Sequence, residues 1–391
     1  MAGSGTTPAL ATMPAEIVCM IGAHLSIYVI RAWTLASKRF RDIFLPQICK
    51  RIKFSGNMEQ LENNILSYFQ TATASFRDLV HHNIRCVTFD VQAFDTPRTL
   101  RAWVRHPPTS LLQIGRFIIS NPNLHRVAFN THLKDFKEIC LFMDLVEAGP
   151  PWPNVKNLSI KSPDDDAGLI RALIHKLEEG TLQTLSTCSN IFLTPRRMRD
   201  SYYANVISLS LRRWARQDWL WLSRHNDPVI AGLDVGVLNT IHTWFPQLES
   251  LVLYDGFMDH SSSSGSLANG AMVVRVIRQA YLTLDKMQSL RRFAFNFNKS
   301  RLGPGSIPEI LELIPSAFND LFDDDFEDEE LAGGLVLSLL VSQISTIQEL
   351  CMTTEYPNFY RATRTDGEWD IAWNSFDDPS QKYLFPKALM D

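Results

Sequence analysis

Few side chains in this sequence have the types and spacing that catalysis or metal binding requires. His81 and His82 could hold a metal ion, and the three carboxylates of residues 164–166 could act as acid–base groups. A histidine pair in a loop and an acidic cluster at the positive end of a helix are the more common interpretations. The chain has no G-x-S-x-G, P-loop, G-x-G-x-x-G or H-E-x-x-H motif, so the residues for common hydrolase, nucleotide and zinc-protease chemistry are missing. We therefore predict a protein that is not an enzyme and that needs no cofactor or metal.

Charge and cysteine content restrict the possible partners. The 38 basic and 42 acidic residues leave a formal charge of −4, which provides no general attraction for nucleic acid or anionic lipid. One basic and aromatic group could hold a phosphate, but it is weak evidence on a nearly neutral protein (Arg196, Arg197, Arg199, Tyr202 and Tyr203). The six cysteines form no C-x-x-C pair, which is typical of buried thiols in a reducing compartment. We expect an intracellular protein of the cytoplasm or nucleus with no nucleic-acid partner.

The hydropathy pattern predicts no membrane segment. The longest apolar stretches, 17–30 and 335–341, are shorter than the roughly 20 residues that cross a bilayer. Residues 1–12 carry no basic side chain ahead of an apolar run, so we expect a flexible N-terminus without a secretory signal and no membrane partner.

Three short helices are predicted after this N-terminus. Apolar residues at four-residue steps indicate a helix over 15–25, and two further helices follow over 27–35 and 37–45. Ser37 is a candidate N-cap for the third helix, because its hydroxyl can accept from free backbone amides of the first turn. Pro46 is expected to end that helix.

Residues 13–54, MPAEIVCMIGAHLSIYVIRAWTLASKRFRDIFLPQICKRIKF, resemble an F-box. Eleven residues occupy positions of the family's pattern without gaps: Met13, Pro14, Glu16, Ile17, Ile21, Leu25, Ile30, Leu35, Ser37, Lys38 and Phe40. Val29 departs from the usual acidic residue and Ala36 from the usual valine. The resemblance implies a three-helix module that docks on a Skp-type adaptor and, through it, on a cullin-RING ubiquitin ligase. It implies adaptor contacts by Met13, Pro14, Ile17, Ile21, Leu25, Ile30, Leu35, Ser37 and Phe40.

Residues 55–391 repeat a short pattern, apolar-x-x-apolar-x-apolar. It occurs eight times, over 83–89, 123–129, 154–160, 181–187, 205–211, 247–253, 289–295 and 346–352. Helical patterns lie between several of these strands, over 111–120, 134–148, 167–179, 233–244, 271–287 and 331–343. Alternating strands and helices predict an α/β fold, and here an irregular leucine-rich-repeat-like solenoid, or horseshoe.

The spacing between the repeats is uneven. Their first apolar residues are 24 to 57 residues apart, which predicts inserted loops near 260–270, rich in serine and glycine, and near 319–330, which is acidic. A β-hairpin is predicted about Asp366–Gly367, where it would cover the edge of the last strand.

The residues between the repeat's apolar positions should line the opposite face of the strands. The middle row consists of small side chains: Thr88, Ala128, Ser159, Ser186, Ser210, Val252, Ala294 and Cys351. We predict a substrate-binding trough whose walls include Arg126, Asn130, Lys161, Arg212, Tyr254, Arg292 and Asn296, with the arginines and lysine available for an acidic peptide. The alternative is that the row is small only because curvature crowds it.

Two functions are compatible with this organisation. The first is a substrate receptor, in which the F-box-like module holds the ligase and the repeats hold a protein substrate that the sequence does not identify. The second is a repeat scaffold for protein–protein interaction that works without a ligase. An α/β enzyme is a distant third possibility, because strands and helices alternate in enzymes as well.

Overall fold

The computed structural model describes residues 12–25, 27–95, 112–133, 136–162, 167–187, 202–212, 233, 235–254, 270–296, 328–355, 358–378, 380–381 and 384–387. The chain divides into two compact units, Met1–Val155 (unit 1) and Lys156–Asp391 (unit 2). Both units combine helices with β-strands, which confirms the α/β class. The predicted flexible N-terminus, except Thr12, lies outside the described residues. So do the acidic group at 164–166, the arginines at 196–199, the loop at 260–269 and residues 319–327 of the acidic stretch.

Unit 1 begins with three short helices that share a small core. They are α1 (Ala15–Ala23), α2 (Ile27–Ala36) and α3 (Lys38–Ile48), which we call the N-terminal helical module. Val18, Ile30 and Phe44 form its buried centre. Gly22 permits the close approach of α1 to α3, because a Cβ at that position would lie 2.2 Å from the Phe44 ring.

Two details of the third helix differ from expectation. Pro46 lies inside α3, which continues to Ile48, so the prediction that Pro46 ends the helix is wrong. A proline near the end of a helix removes only one late amide donor, which leaves the preceding turns intact. Ser37 does occupy the N-cap position with extended backbone, but its side chain makes no capping hydrogen bond.

After this module, the described residues of unit 1 form three parallel strands and four helices. In chain order they are β1 (Arg51–Gly56), α4 (Met58–Thr71), α5 (Ala74–Asn83), β2 (Cys86–Gln92), α6 (Leu112–Ile119), β3 (Arg126–His132) and α7 (Phe136–Ala148). β2 lies between β1 and β3. A capping box between Asn57 and Gln60 starts α4 directly after β1. The predicted boundary between residues 54 and 55 lies within β1.

Unit 2 continues the alternation and ends in a hairpin. Its elements are β4 (Asn157–Lys161), α8 (Ala167–Ile174), β5 (Thr184–Thr187), β6 (Ser208–Arg212), α9 (Val235–Trp244), β7 (Ser250–Tyr254), α10 (Gly270–Leu284), β8 (Arg292–Asn296), α11 (Asp328–Gln343), β9 (Glu349–Glu355), β10 (Asn358–Thr365) and β11 (Glu368–Ser375). β4 to β9 pair in parallel with their sequence neighbours. Residues 328–330, predicted to be part of an acidic loop, form the start of α11.

All eight repeated motifs lie at strands with a constant offset. Each strand begins at the fourth residue of its motif, so the motif's first apolar residue precedes the strand. The three apolar positions of every motif are at most 5% exposed, which confirms the predicted inward rows. At seven of the motifs, the backbone amides of the third and fourth residues both donate to the same carbonyl. This carbonyl belongs to the residue directly before the neighbouring strand. These carbonyls belong to Lys50, Arg85, Lys156, Gln183, Ile207, Glu249 and Arg291.

The predicted hairpin is present. β10 pairs antiparallel with both β9 and β11. Asp366 and Gly367 connect β10 to β11 with φ angles of 54° and 94°, the left-handed geometry that a two-residue hairpin loop needs. No helix among the described residues is long and apolar enough to cross a membrane.

Candidate functional site

The N-terminal helical module exposes an unusual amount of apolar surface. Ile17, Met20, Tyr28, Val29 and Leu35 are between 38% and 81% exposed. We call these five side chains of α1 and α2 the apolar surface. The described residues contain eleven exposed large hydrophobic side chains in all, so nearly half of them fall within 19 residues of sequence. Exposed large apolar side chains on two consecutive helices are candidates for contact with another protein.

The residues implied to contact an adaptor are unevenly accessible. Pro14, Ile17 and Leu35 are exposed, Met13, Ile21, Leu25, Ser37 and Phe40 are half-buried, and Ile30 is buried. The expectation that Ile30 lies on the exposed surface is wrong, because it packs with Val18 and Phe44 in the core of the module. Met20 and Tyr28 are exposed on the same helices. The motif did not mark them, although their helical spacing from Ile17 and Leu35 could have done so.

In unit 1, the strand face opposite the core is accessible. Lys53, Thr88 and Ala128 are aligned in register across β1, β2 and β3. Thr88 and Ala128 are half-buried, as are the two predicted wall residues of this unit, Arg126 and Asn130. The small-residue row predicted for this face is therefore partly accessible to solvent in unit 1.

Asp90 is the electrostatic centre of this face. Its carboxylate accepts a hydrogen bond from the Ser55 hydroxyl at 2.7 Å and pairs with Lys53 Nζ at 2.8 Å and with His132 Nε2 at 3.3 Å. Burial alone would raise the pKa of Asp90, but the hydrogen bonds from Lys53 and Ser55 and the nearby charges hold it below its ordinary value. Sequence reasoning missed Lys53 and Ser55, because β1 was assigned to the end of the F-box-like segment.

Two arginines flank a thiol at the other end of the same strands. Arg51, Cys86 and Arg126 are in register on β1, β2 and β3. Burial raises the pKa of the half-buried Cys86 thiol, and the charges of Arg126 and Arg51 oppose that rise. The cationic side chains give this end of the face a positive character that suits an anionic group.

In unit 2, the corresponding face is covered. The row from Ser159 through Ala294 to Cys351 is in register from β4 to β9, as the sequence predicted. However, its members are buried, so the expectation of an open trough floor is wrong in this unit. Over β7 to β9 the physical reason is an aromatic cluster: Phe359, Phe376 and Phe385 pack on Val252, Ala294 and Cys351.

Charged side chains surround this aromatic cluster. Arg361 Nε pairs with Glu349 Oε1 at 3.2 Å, and a nitrogen of the same guanidinium donates to the backbone carbonyl of Phe385. Arg292 donates to the Ser250 hydroxyl at 2.9 Å and lies 5.6 Å from the centre of the Phe385 ring. Burial raises the pKa of Glu349, although Arg361 and Arg292 oppose the rise. Burial also raises the pKa of the Cys351 thiol.

The predicted wall residues of unit 2 are not equivalent to one another. Lys161 is half-buried and Arg292 is exposed, whereas Asn296 is buried and does not belong to an open wall. The backbones of Arg212 and Tyr254 are paired on β6 and β7, but their side chains lie outside the described part of the structure. Phe376 and Phe385 were missed, because their segment matches no repeat and only their aromatic type marks them.

The histidine pair lies beside a shallow cleft of unit 1. Tyr68, Phe69, Arg77, Asp78, His81, Ser120 and Asn121 line this cleft of about 220 Å³. His81 Nδ1 lies 3.0 Å from the Ser120 carbonyl and His82 Nδ1 lies 2.6 Å from the Asp78 carbonyl. Both rings thus bond to backbone oxygens. Among the residues with described positions, no group of three His, Cys, Asp or Glu side chains could hold a metal ion.

Comparison of the chain with models of known protein families, with curated proteins and with solved structures found no match. The geometry of the apolar surface and of the two strand faces is therefore the basis for any functional conclusion.

Proposed function

We propose that this protein is the substrate-receptor subunit of a Skp-cullin-F-box type ubiquitin ligase, acting in the cytoplasm or nucleus. The N-terminal helical module docks the Skp-type adaptor, and through it the cullin-RING ligase. The following strands and helices form a leucine-rich-repeat-like solenoid that captures a protein substrate. In this role the protein is an adaptor and performs no catalysis itself.

The exposed apolar surface is the observation that carries this proposal. The module already has its own core of Val18, Ile30 and Phe44, so the apolar side chains left outside are not needed to fold it. Ile17 and Leu35 belong both to this surface and to the F-box-like pattern. Full burial of each such side chain by a partner would contribute about 1.5 to 3 kcal/mol, so a few are enough for stable association after the costs of binding.

Adaptor binding can be tested with two matched leucine substitutions. Leu35 is 81% exposed near the end of α2, and Leu282 is 59% exposed near the end of α10. Leu35→Asp should reduce co-purification with a Skp-type adaptor by about tenfold or more, because a carboxylate would be buried at the interface. Leu282→Asp introduces the same charge at a similar helical position in unit 2 and should leave adaptor binding unchanged.

The wild-type chain gives the decisive result. If it does not co-purify with the adaptor while its far-ultraviolet circular dichroism shows a folded α/β protein, the ligase role is refuted. The protein would then be a repeat scaffold for protein–protein interaction. Equal adaptor binding by the wild type and Leu35→Asp would instead show that the adaptor docks outside the apolar surface.

A further inference from the structure

Residues 376–378, 380–381 and 384–387, which we call segment 376–387, include two phenylalanines of the aromatic cluster on the strand face of unit 2. Phe376 and Phe385 belong to one buried cluster with the small side chains of Val252, Ala294 and Cys351. The Phe376 ring also stacks on Phe359, with ring centres 4.4 Å apart. A row of small residues thus forms a seat into which aromatic rings fit.

Two arginines hold the segment by features that any aromatic peptide residue could provide. Arg292 lies against the Phe385 ring at 5.6 Å, a cation–π contact. Arg361 donates to the main-chain carbonyl of Phe385. One contact recognises a ring and the other recognises a backbone carbonyl, so together they specify an aromatic residue of a peptide without requiring a particular neighbour.

Three backbone hydrogen bonds of the segment close short turns, the first of them to the last residue of β11. They join Asp378 to Ser375, Gln381 to Asp378 and Leu384 to Gln381. The strands beneath are joined by regular ladders of backbone hydrogen bonds. Between the described residues of the segment and the strands, the contacts include the buried rings of Phe376 and Phe385 and the guanidinium of Arg361. Such side-chain contacts favour opening of the segment before the strands separate.

We infer that the face of β7 to β9 is a binding surface for a peptide segment with an aromatic anchor, and that segment 376–387 is its resident occupant. This inference deepens the proposed function, because the competing peptide would belong to the captured substrate. Binding requires displacement of Phe385 from its seat by the partner's aromatic side chain. The small-residue seat and the two arginines then select the partner together.

Native-state alkylation of Cys351 in the full chain tests whether the segment opens. Cys351 is 1% exposed beneath the aromatic cluster. Its modification, followed by peptide mapping, should occur without global unfolding and depend weakly on denaturant. Phe385→Ala should accelerate it by about tenfold or more, because the buried ring is lost. Leu384→Ala removes the exposed neighbour and should leave the rate unchanged.

Binding of a synthetic peptide of residues 376–391 tests the seat itself. The full-length Phe385→Ala variant should bind this peptide about tenfold more tightly than the wild-type chain, whose seat is occupied. A peptide with alanine in place of Phe385 should bind the variant about tenfold more weakly than the natural peptide.

Two outcomes would overturn the inference. The first is that wild-type Cys351 reacts only at denaturant concentrations at which the amides of β8 and β9 also undergo hydrogen exchange. The segment would then be a permanent part of the core. This measurement on the wild type decides the matter even where Phe385→Ala does not fold. The other is equal peptide binding by a folded Phe385→Ala variant and the wild type. Adaptor co-purification depends on α1 and α2, so failure here leaves the ligase proposal intact.

Discussion

The strand faces of the two units are built from the same motif and have different surroundings. In unit 1, Thr88 and Ala128 are half-buried, whereas in unit 2 the equivalent Ala294 and Cys351 are only 4% and 1% exposed. The inward rows are alike in both units because apolar side chains specify them. The outward rows differ because their small residues can either contact solvent or pack against aromatic rings. The motif therefore determines the core, and sequence outside the motif determines the surface.

The largest effect on stability is expected when a lysine is placed at equivalent positions of the strand faces of unit 1 and unit 2. Ala294→Lys would bury an ammonium group beneath Phe385 and should reduce the free energy of unfolding of unit 2 by about 3 to 5 kcal/mol. Ala128→Lys can extend into solvent and should change that of unit 1 by about 1 kcal/mol or less. Chemical denaturation followed by hydrogen exchange of each unit would measure both. Similar losses would show that the two faces are equally covered.

A smaller effect on stability, which depends on pH, is expected from Asp90 on the strand face of unit 1. Asp90→Asn removes the ion pair with Lys53 and changes the contact with His132, and it should cost about 1 to 2 kcal/mol at pH 7. Because the pKa of Asp90 is lowered in the folded protein, its stabilisation is present above the unfolded-state pKa of about 3.9 and is lost as the pH falls through the folded-state pKa. Denaturation of wild type and variant between neutral and acidic pH would check this. A pH-independent difference would contradict the role of Asp90.

The hairpin of unit 2 should be sensitive to one glycine. Gly367 has a φ of 94° with open space around its Cα. Gly367→Ala should therefore cost about 1 kcal/mol through backbone strain and not through a clash. Gly367→Asn should cost less, since asparagine tolerates the left-handed region. Thermal unfolding would rank the two variants, and equal losses would argue against strain as the cause.

The smallest effect on stability is expected from Glu349, and its pH dependence should be opposite to that of Asp90. The pKa of Glu349 is raised, first by burial, so folding favours its protonated form. Its contribution is full below the unfolded-state pKa of about 4.3 and is lost as the pH rises through the folded-state pKa. Relative to Glu349→Gln, the wild type should therefore become less stable between pH 4 and neutral pH, by about 1 kcal/mol or less. A difference that grows in favour of the wild type as the pH rises would contradict the assignment.

The repeated strands could be predicted because their information is local. The side chains at positions two, five and seven of each motif are buried, and all but Thr187 are apolar. The six helices predicted between the strands begin and end within five residues of their predicted bounds, whereas α4 and α5 were not predicted. β1 was missed because Arg51 to Phe54 also fit the end of another pattern. The cover over Ala294 was missed because Phe385 meets it from 91 residues away, and no periodicity connects the two. Ile30 was placed outside because a pattern of apolar residues does not distinguish a core residue from a contact residue.

The shared carbonyls have a consequence for how this chain can change in length. At Lys156, Gln183, Ile207, Glu249 and Arg291, one oxygen receives two amides of the next motif. Hydrogen bonds at the start of each strand thereby set its register against the neighbouring strand. This holds whatever the length of the chain that connects the two strands. Insertions and deletions between motifs, even the gain or loss of a whole repeat, can leave every remaining strand aligned as before. Variation in length can thus accumulate in the connections while the strand ladder is inherited unaltered.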